Sequence, residues 1–396
     1  MNERIAATQS RFARLRSVAV VTIAGALSVV ALSSTVALAQ TKSATTSKAV
    51  AHGTPSMATL EKQLKSLEVP ASSKTPLTEA GSSLLYPLMA EWAPAFKYAS
   101  SIPVTAAAGG SGKGISYAIA GTINIGASDA YLPGSDSSVV NIPVSIAAQM
   151  VNYNIPGLSK NLHLKLDATL LNEIYAGAIT NWNDKAIRAI NPGVKLPALK
   201  IVPLYRSDGS GDTFLFSSYL DFGYKASFLR ATGPQTLVNW PKISGELAEN
   251  GNTGMLQTCA VTKGCVAYIG VSYLNAAVQA SGLGEAALRN AAGRYLLPTS
   301  ATIHTEVLAM KSVPANGAIS LIYLPKVPEG YPIVNFEYAI VAKSQPSAEV
   351  ATAIKSFLAW GMDPNGGSIN KYLVPVHFQP LPANGLNVAI QLLKSL

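Results

Sequence analysis

The residues 109–114, Gly-Gly-Ser-Gly-Lys-Gly, look at first like a nucleotide-binding loop. Their spacing excludes the P-loop motif G-x-x-x-x-G-K-[ST]. With Gly112-Lys113 as the G-K pair, the first glycine falls on Ala107 and the hydroxyl residue falls on Gly114. What remains is a Gly/Ser turn before a helix, whose free N–H groups and positive dipole end attract an anion.

The same local design occurs three times, each time as a Gly/Ser turn followed by a predicted helix. The turns are Gly81-Ser82-Ser83, Gly110-Ser111 and Ser210-Gly211-Asp212. Each turn alone could be an ordinary N-cap, because Ser and Asp are favoured at that position. Three in one chain, with Arg206 four residues before the third, predict a tetrahedral oxyanion bound between converging helix N-termini.

Short apolar runs alternate with helical patterns along most of the chain, and they must position these loops. The strand-like runs are IPVTAA, TINIGAS, IAAQMVNYNI, LKIVPLYRS, GCVAYIGVSYL and YPIVNFEYAIVA. The helical patterns include GISYAIAG, ATLLNEIYAGA and AEVATAIKSFLAWGM. This alternation predicts an α/β fold with largely buried sheets.

The N-terminal 39 residues have the pattern of an export signal. Arginines precede an uncharged apolar run, and Ala37-Leu38-Ala39 fits an A-x-A cleavage site. The alternative is an uncleaved membrane anchor, since the apolar run is long enough to span a bilayer. No lipobox cysteine follows the run, which excludes a bacterial lipid anchor there. Residues 40–76, rich in Ser, Thr, Ala and Lys, are predicted to be a linker with at most one short helix.

Charge, cysteine and histidine usage narrow the function further. The net charge of +9 over 396 residues is dispersed, which argues against a nucleic-acid partner. Cys259 and Cys265 are six residues apart and are predicted to form a disulfide in an exported compartment; two buried thiols are the alternative. The four histidines lack metal-ligand spacing, and no metal or other cofactor is predicted.

Six segments together resemble the periplasmic phosphate-binding proteins of ABC transporters. They are AGSSLLYPL, GGSGKGI, NIGASDAYL, VNYNIPG, YRSDGSGDTFLFSSYL and VHFQPLP. The resemblance runs from about residue 80 to the C-terminus and is closest to the actinobacterial branch, which also carries a segment like TCAVTKGCVAYIG. It implies a monomeric, non-enzymatic, high-affinity phosphate receptor in the periplasm or at the cell wall, which delivers phosphate to an ABC-type permease.

The resemblance also implies a two-lobed type II periplasmic-binding-protein fold with the ligand in the interlobe cleft. Residues 77–153 plus 334–396 would form lobe I, and residues 154–333 would form lobe II. The two crossovers are expected near Asn152–Pro156 and Gly330–Asn335.

Carried over by position, the family's ligand contacts fall on eight residues. They are Ser83, Leu84, Ser111, Asp129, Arg206, Ser210, Gly211 and Asp212. Ser83 replaces a common threonine and keeps the hydroxyl, whereas Leu84 replaces a common aromatic residue and would offer only its N–H. Asp208 falls where the family orients the arginine, although a simple turn aspartate is the alternative. Asp212 departs from the family, in which many relatives have threonine.

The chemistry of these residue types fits a protonated oxyanion. Arg206 can bind two oxygens bidentately. Asp129 would repel an anion unless the ligand carries a proton, which hydrogen phosphate has and sulfate lacks, so it would discriminate between the two. A helix cap is the alternative for Asp129. Asp212 is either a second proton acceptor or a first-turn carboxylate that favours the helix dipole.

Two other functions compete with this hypothesis. One is a binding protein for another oxyanion, such as sulfate, molybdate or tungstate, which would need only donors. The other is a phosphatase or serine hydrolase acting through Ser111 or Ser210, but neither serine lies in a G-x-S-x-G motif.

Overall fold

A computed structural model describes most of the chain after the predicted signal segment. It covers residues 54–68, 75–132, 138–159, 161–324 and 327–396. The predicted signal peptide and most of the predicted linker lie outside the described residues. Among the described residues, no helix is both long enough and apolar enough to cross a membrane.

Helices and strands alternate through the described residues, as the sequence pattern predicts. The helices are α1 (Met57–Leu67), α2 (Tyr86–Ser100), α3 (Ser111–Ile119), α4 (Ala168–Tyr175), α5 (Lys185–Ile190), α6 (Gly211–Gly223), α7 (Gly251–Val261), α8 (Ser300–Leu308), α9 (Ala348–Met362), α10 (Asn370–Leu373) and α11 (Ala383–Lys394). The strands are β1 (Leu77–Gly81), β2 (Val104–Ala108), β3 (Ile125–Ser128), β4 (Val139–Tyr153), β5 (Lys165–Leu166), β6 (Val202–Arg206), β7 (Leu247–Glu249), β8 (Cys265–Gly270), β9 (Gly284–Glu285), β10 (Ala287–Arg289), β11 (Tyr295–Leu296) and β12 (Val334–Ala342).

One strand, β4, joins two halves of a sheet. In the described residues the sheet order is β2-β1-β3-β12-β4-β8-β6-β7, with β9 also paired to β4. The first part of β4 pairs with β12 as far as Ala148, and from Gln149 it pairs with β8. The change of partner therefore falls a few residues before the crossover expected at Asn152–Pro156. A small separate sheet has the order β11-β10-β5.

Each half of the sheet is covered by helices and has its own aromatic cluster. Beside the first half, Trp92 of α2 meets Phe357 and Trp360 of α9 edge to face. Beside the second half, Phe216 of α6 stacks on Tyr268 of β8 at 4.6 Å between ring centroids. All fifteen residues of β4 are buried, because helices or strands cover both of its faces.

The folded part begins earlier than the sequence analysis expected. The one short helix allowed for in the predicted linker is present as α1, but it belongs to the fold, since its Leu60 and Leu64 are fully buried. The helix packs on α9 and α11, and Lys65 forms an ion pair with Asp363 at the end of α9. The expectation that the fold starts near Leu77 is therefore wrong. Burying two leucines stabilises this attachment by about 1.5–3 kcal/mol each.

Candidate functional site

The three predicted anion loops meet at one edge of the sheet. The loops follow β1, β2 and β6, and β1 and β2 are parallel neighbours whose carboxyl ends lie together. Helices α3, α6 and α7 begin at the same place. The backbone of the α3 turn also contacts the loop after β6, because the Gly112 N–H donates to the Gly209 carbonyl at 2.8 Å. Carboxyl ends of strands are where α/β folds bind ligands.

Arg206, the last residue of β6, is only 2% exposed and lies between two carboxylates. Its Nε donates to Asp208 Oδ1 at 2.6 Å and its Nη2 donates to Asp208 Oδ2 at 2.5 Å. Its Nη1 donates to Asp212 Oδ2 at 2.8 Å. A guanidinium has five N–H groups, so two remain for a ligand once these described partners are satisfied. The two hydrogen bonds to Asp208 fix the orientation of the guanidinium.

Asp208 and Arg206 fix each other's charge. Burial alone would raise the pKa of Asp208, but the hydrogen bond and positive charge of Arg206 hold that pKa below its ordinary value. The Gly251 N–H at the start of α7 also donates to Asp208 Oδ1, at 3.2 Å. Both groups therefore stay ionised at neutral pH; the guanidinium keeps its positive charge at the site, while the pair as a whole is neutral.

Asp212, in the first turn of α6, accepts hydrogen bonds from three side-chain donors. Gln149 Nε2 donates to its Oδ1 at 3.1 Å, while Asn252 Nδ2 and Arg206 Nη1 donate to its Oδ2 at 2.8 Å. Burial raises the pKa of Asp212, against the opposing charge of Arg206 and the two amides. This geometry favours a carboxylate that fixes Arg206 over a second acceptor for a ligand's proton.

Asp129 follows β3 and is 2% exposed. The Ser82 hydroxyl donates to its Oδ1, and Ser111 Oγ lies 3.4 Å from its Oδ2. Burial, and then the negative charge of Asp212, raise the pKa of Asp129 to about 7. Residues 130–132 are not helical, so the helix-cap alternative for Asp129 is wrong. A buried carboxyl that titrates near neutrality can accept or release a proton at the site.

Ser83 is connected to the other half of the sheet through Asn252. The Ser83 hydroxyl accepts from the Asn252 N–H at 3.1 Å and from its Nδ2 at 3.0 Å. Asn252 Oδ1 in turn accepts from the Gly270 N–H at 2.8 Å. One asparagine therefore ties the turn before α2 to β8 and, through its contact with Asp212, to α6.

The remaining predicted residues lie at helix starts. Ser210 is the N-cap of α6, and its hydroxyl accepts from the Thr213 N–H at 3.2 Å. A side chain at Gly211 would overlap the carboxyl of Asp129 and the hydroxyl of Ser111, so the close approach of these loops requires glycine there. The Leu84 N–H donates to Ser82 Oγ at 3.0 Å.

Lys113, which suggested the P-loop, is exposed on the outer side of α3. It is therefore a surface cation and does not line the cluster formed by Arg206, Asp129 and Ser111.

The comparisons with known proteins agree with this geometry. A family model described as a PBP superfamily domain matches residues 42–365. The phosphate-binding protein PstS of Xylella fastidiosa (strain Temecula1) is 31% identical over 314 residues, which cover 78% of this chain and 82% of the relative. The chain belongs to the PstS family of the PBP superfamily.

One further relative is similar in sequence, and one solved structure supports the fold. Phosphate-binding protein PstS 3 of Mycobacterium leprae is 29% identical over 330 residues, covering 78% of this chain and 85% of the relative. The solved structure of a high-affinity periplasmic phosphate-binding protein bound with phosphate matches with a TM-score of 0.62 and 18% identity, over 79% of this chain and 92% of the other. The two-lobed α/β fold is thereby confirmed.

Sequence reasoning missed four residues that complete the site. They are Ser82, Gln149, Asn252 and Glu337. Ser82 lies in the first anion turn and could have been found there, since it precedes Ser83 in the same Gly/Ser motif. The other three come from β4, α7 and β12, and nothing in their local sequence marks them as site residues.

The predicted disulfide between Cys259 and Cys265 is present. It joins the end of α7 to the start of β8. Asn252 is at the opposite end of α7, about 10 Å away along the helix at 1.5 Å per residue. The disulfide therefore supports the two elements that hold Asn252 without touching the anion loops.

Proposed function

We propose that the protein is a high-affinity receptor for inorganic phosphate that is exported from the cell and delivers its ligand to the permease of an ABC transporter. The observation that carries the proposal is the cluster of Arg206, Asp129 and the starts of α3 and α6. Arg206 supplies a fixed positive charge and two free N–H groups, the helix starts supply backbone donors, and Asp129 supplies an acceptor.

Asp129 makes the proposal specific for phosphate rather than for any oxyanion. A carboxylate next to a bound anion is tolerable only if the anion brings a proton to share with it. Hydrogen phosphate carries such a proton and sulfate does not, so Asp129 favours the first and penalises the second. The PstS relatives, which are named as phosphate-binding proteins, support the same assignment.

The proposed contacts are Ser83, Leu84, Ser111, Asp129, Arg206, Ser210 and Gly211. Asp208 and Asp212 orient Arg206. We also propose that residues 77–153 plus 334–396 form lobe I and that residues 154–333 form lobe II. In this arrangement the ligand lies between the lobes, and a monomer is sufficient for binding.

A binding role is proposed in preference to catalysis. The Ser210 hydroxyl is engaged as a helix cap, and Ser111 lies beside a carboxylate. The histidines with described contacts lie elsewhere, since His163 bonds to the Glu285 carbonyl and His377 to Asn275. Among the residues that the structure describes, neither serine therefore has the imidazole base that a serine hydrolase uses.

Titration calorimetry of the purified protein with phosphate, arsenate and sulfate tests the proposal. We expect one phosphate per chain, with arsenate binding as a close analogue. Sulfate should bind at least about tenfold more weakly, a difference of about 1.4 kcal/mol. Equal affinity for sulfate and phosphate would exclude the proton-sensing role of Asp129, and hydrolysis of a chromogenic phosphate ester would revive the enzymatic alternative.

A further inference from the structure

A second buried carboxyl lies directly behind Asp129. In the antiparallel pairing of β12 with β3, Tyr338 is opposite Ser128, so the next residues along the two chains, Glu337 and Asp129, face each other. Glu337 is fully buried, and its carboxyl contacts that of Asp129. Two like charges directly opposite each other in a sheet repel, and in a dry interior the repulsion is stronger.

The placement of Glu337 is enforced by the strand. The register of β12 against β4 shifts between Glu337 and Tyr338, which pair with Ser145 and Pro143 and leave Val144 as an extra residue on β4. Such a bulge changes the direction in which neighbouring side chains point. Glu337 is therefore directed at Asp129 by the architecture of the sheet and cannot turn away to solvent.

Only one of the two carboxyl oxygens of Glu337 accepts a hydrogen bond from a donor among the described residues. Its Oε1 accepts from Asn335 Nδ2 at 2.9 Å, while no donor among the described residues serves its buried Oε2. An unserved carboxylate oxygen beside another carboxylate is costly. If Oε2 carries a proton and donates a hydrogen bond to Asp129, the oxygen gains a partner and the repulsion between the two carboxylates is removed.

We propose that Glu337 is a positioning residue that remains protonated and donates a hydrogen bond to Asp129, so that Asp129 is held as the anionic acceptor for the ligand's proton. The inference rests on the proposed phosphate-binding function. Three donors then surround Asp129, namely the hydroxyls of Ser82 and Ser111 and the carboxyl of Glu337. A carboxylate has about four acceptor positions, which leaves one for the ligand.

The charges around the pair decide which carboxyl keeps the proton. Arg206 on β6 attracts the negative charge toward Asp129, whereas Asp212 on α6 repels it. Burial, and then the charge of Asp129, raise the pKa of Glu337 well above its ordinary value, and the hydrogen bond between the two carboxyls raises the pKa of Glu337 while it lowers that of Asp129. The proton therefore stays on Glu337 when Asp129 ionises.

Two substitutions separate this role from simple packing. Glu337→Gln keeps a neutral group with an N–H that can donate to Asp129, whereas Glu337→Leu removes the donor and leaves Asp129 beside an apolar side chain. We expect Glu337→Gln to bind phosphate within about threefold of wild type at pH 7 in calorimetry. Glu337→Leu should bind phosphate at least about tenfold more weakly than wild type, and its ratio of sulfate to phosphate dissociation constants should be smaller.

The pH profile provides the readout that packing alone would not change. In the wild type, phosphate affinity should decline at alkaline pH as Glu337 ionises beside Asp129, and Glu337→Gln should lack that decline. Glu285→Leu is the matched control, because Glu285 is another buried glutamate, located on β9 opposite Asn152. It should leave affinity and selectivity unchanged. Equal affinity losses in the Gln and Leu variants, or no loss in either, would overturn the proposal.

Infrared spectroscopy tests the proton without any ligand, and so remains informative if the Leu variant does not fold. The wild-type minus Glu337→Gln difference spectrum at pH 7 should contain the C=O band of a protonated carboxyl. Absence of that band would refute the shared proton even if phosphate binds. Presence of the band in a protein that does not bind phosphate would instead refute the proposed function and leave the carboxyl pair standing.

Discussion

At the residue scale, the site pairs one buried cation with buried carboxyls that have different tasks. Asp208 and Asp212 hold Arg206 in place, while Asp129 has no cation within hydrogen-bonding distance among its described partners and is surrounded by hydroxyls and Glu337. A carboxyl bound to a guanidinium is ionised, and its oxygens are used in the ion pair. A carboxyl in contact with hydroxyls can exchange a proton with a ligand. By this difference in partners, Asp208 and Asp212 orient Arg206, whereas Asp129 recognises the ligand's proton.

Asp129→Asn should weaken the discrimination against sulfate. The amide can donate a hydrogen bond to an unprotonated oxygen, so it removes the repulsion that excludes sulfate and also removes the acceptor for phosphate. We expect the ratio of sulfate to phosphate dissociation constants to fall by at least about tenfold, or about 1.4 kcal/mol, in calorimetry. Asp221→Asn is the matched control, because Asp221 is a buried aspartate at the far end of α6 that pairs with Arg230. An unchanged ratio in Asp129→Asn would contradict the assignment.

Arg206→Ala should cost far more affinity than Lys113→Ala. Removing a desolvated, charge-assisted contact costs about 2–5 kcal/mol, which corresponds to a loss of roughly 30-fold to several thousandfold. Lys113 is exposed, and its removal should change the phosphate dissociation constant by less than about threefold. The melting temperature of each variant should be measured alongside its titration, because Arg206→Ala also leaves Asp208 and Asp212 without their cation and could destabilise the fold. A larger effect at Lys113 would mean that the P-loop-like turn binds the ligand through its lysine.

At the element scale, local patterns predicted the helices and strands, and tertiary pairing determined the rest. The apolar run that became β4 and the three Gly/Ser turns could be recognised because each signal lies within about ten residues. Glu337 could not be recognised from the sequence, since its role depends on the register of β12 against β3 and on the bulge between β12 and β4. Asn252 likewise depends on where the start of α7 meets the turn before α2. The docking of α1 was missed because two leucines in a polar segment are a weak signal.

The disulfide should stabilise the fold while leaving recognition almost unchanged. Closing a loop of this size stabilises the folded state by about 2 kcal/mol through chain entropy. Replacing Cys259 and Cys265 together with alanine should lower the free energy of unfolding by that order and shift the phosphate dissociation constant by less than about threefold. Non-reducing mass spectrometry should find the wild type two hydrogens lighter than the dithiol. Readily reactive thiols in the native wild type, or a large affinity loss in the variant, would contradict this separation of roles.

At the scale of the whole molecule, the fold buries several carboxyl groups that are not paired with cations. Burial raises the pKa of Glu79 on β1 to about 8, that of Glu306 on α8 to about 8, and that of Glu285 on β9 to about 7. These groups are distributed over both halves of the sheet. The folded protein therefore retains protons that the unfolded chain would release above about pH 4.5.

This proton uptake predicts that the protein is less stable at pH 8.5 than at pH 5. A carboxyl whose pKa is raised on folding contributes stability that is fully present below the unfolded pKa and is lost as the pH rises through the folded pKa. For the three glutamates that window extends from about pH 4.5 to about pH 8. Asp208 acts in the opposite sense, but its lowered pKa confines its effect to more acidic solution. We expect the melting temperature in phosphate-free buffer to fall by at least about 3 °C between pH 5 and pH 8.5. Glu79→Gln should make the decline shallower, because Glu79 is buried on the sheet and its amide replacement does not titrate. A melting temperature that rises with pH over this interval would show that the buried carboxyls are ionised in the folded protein.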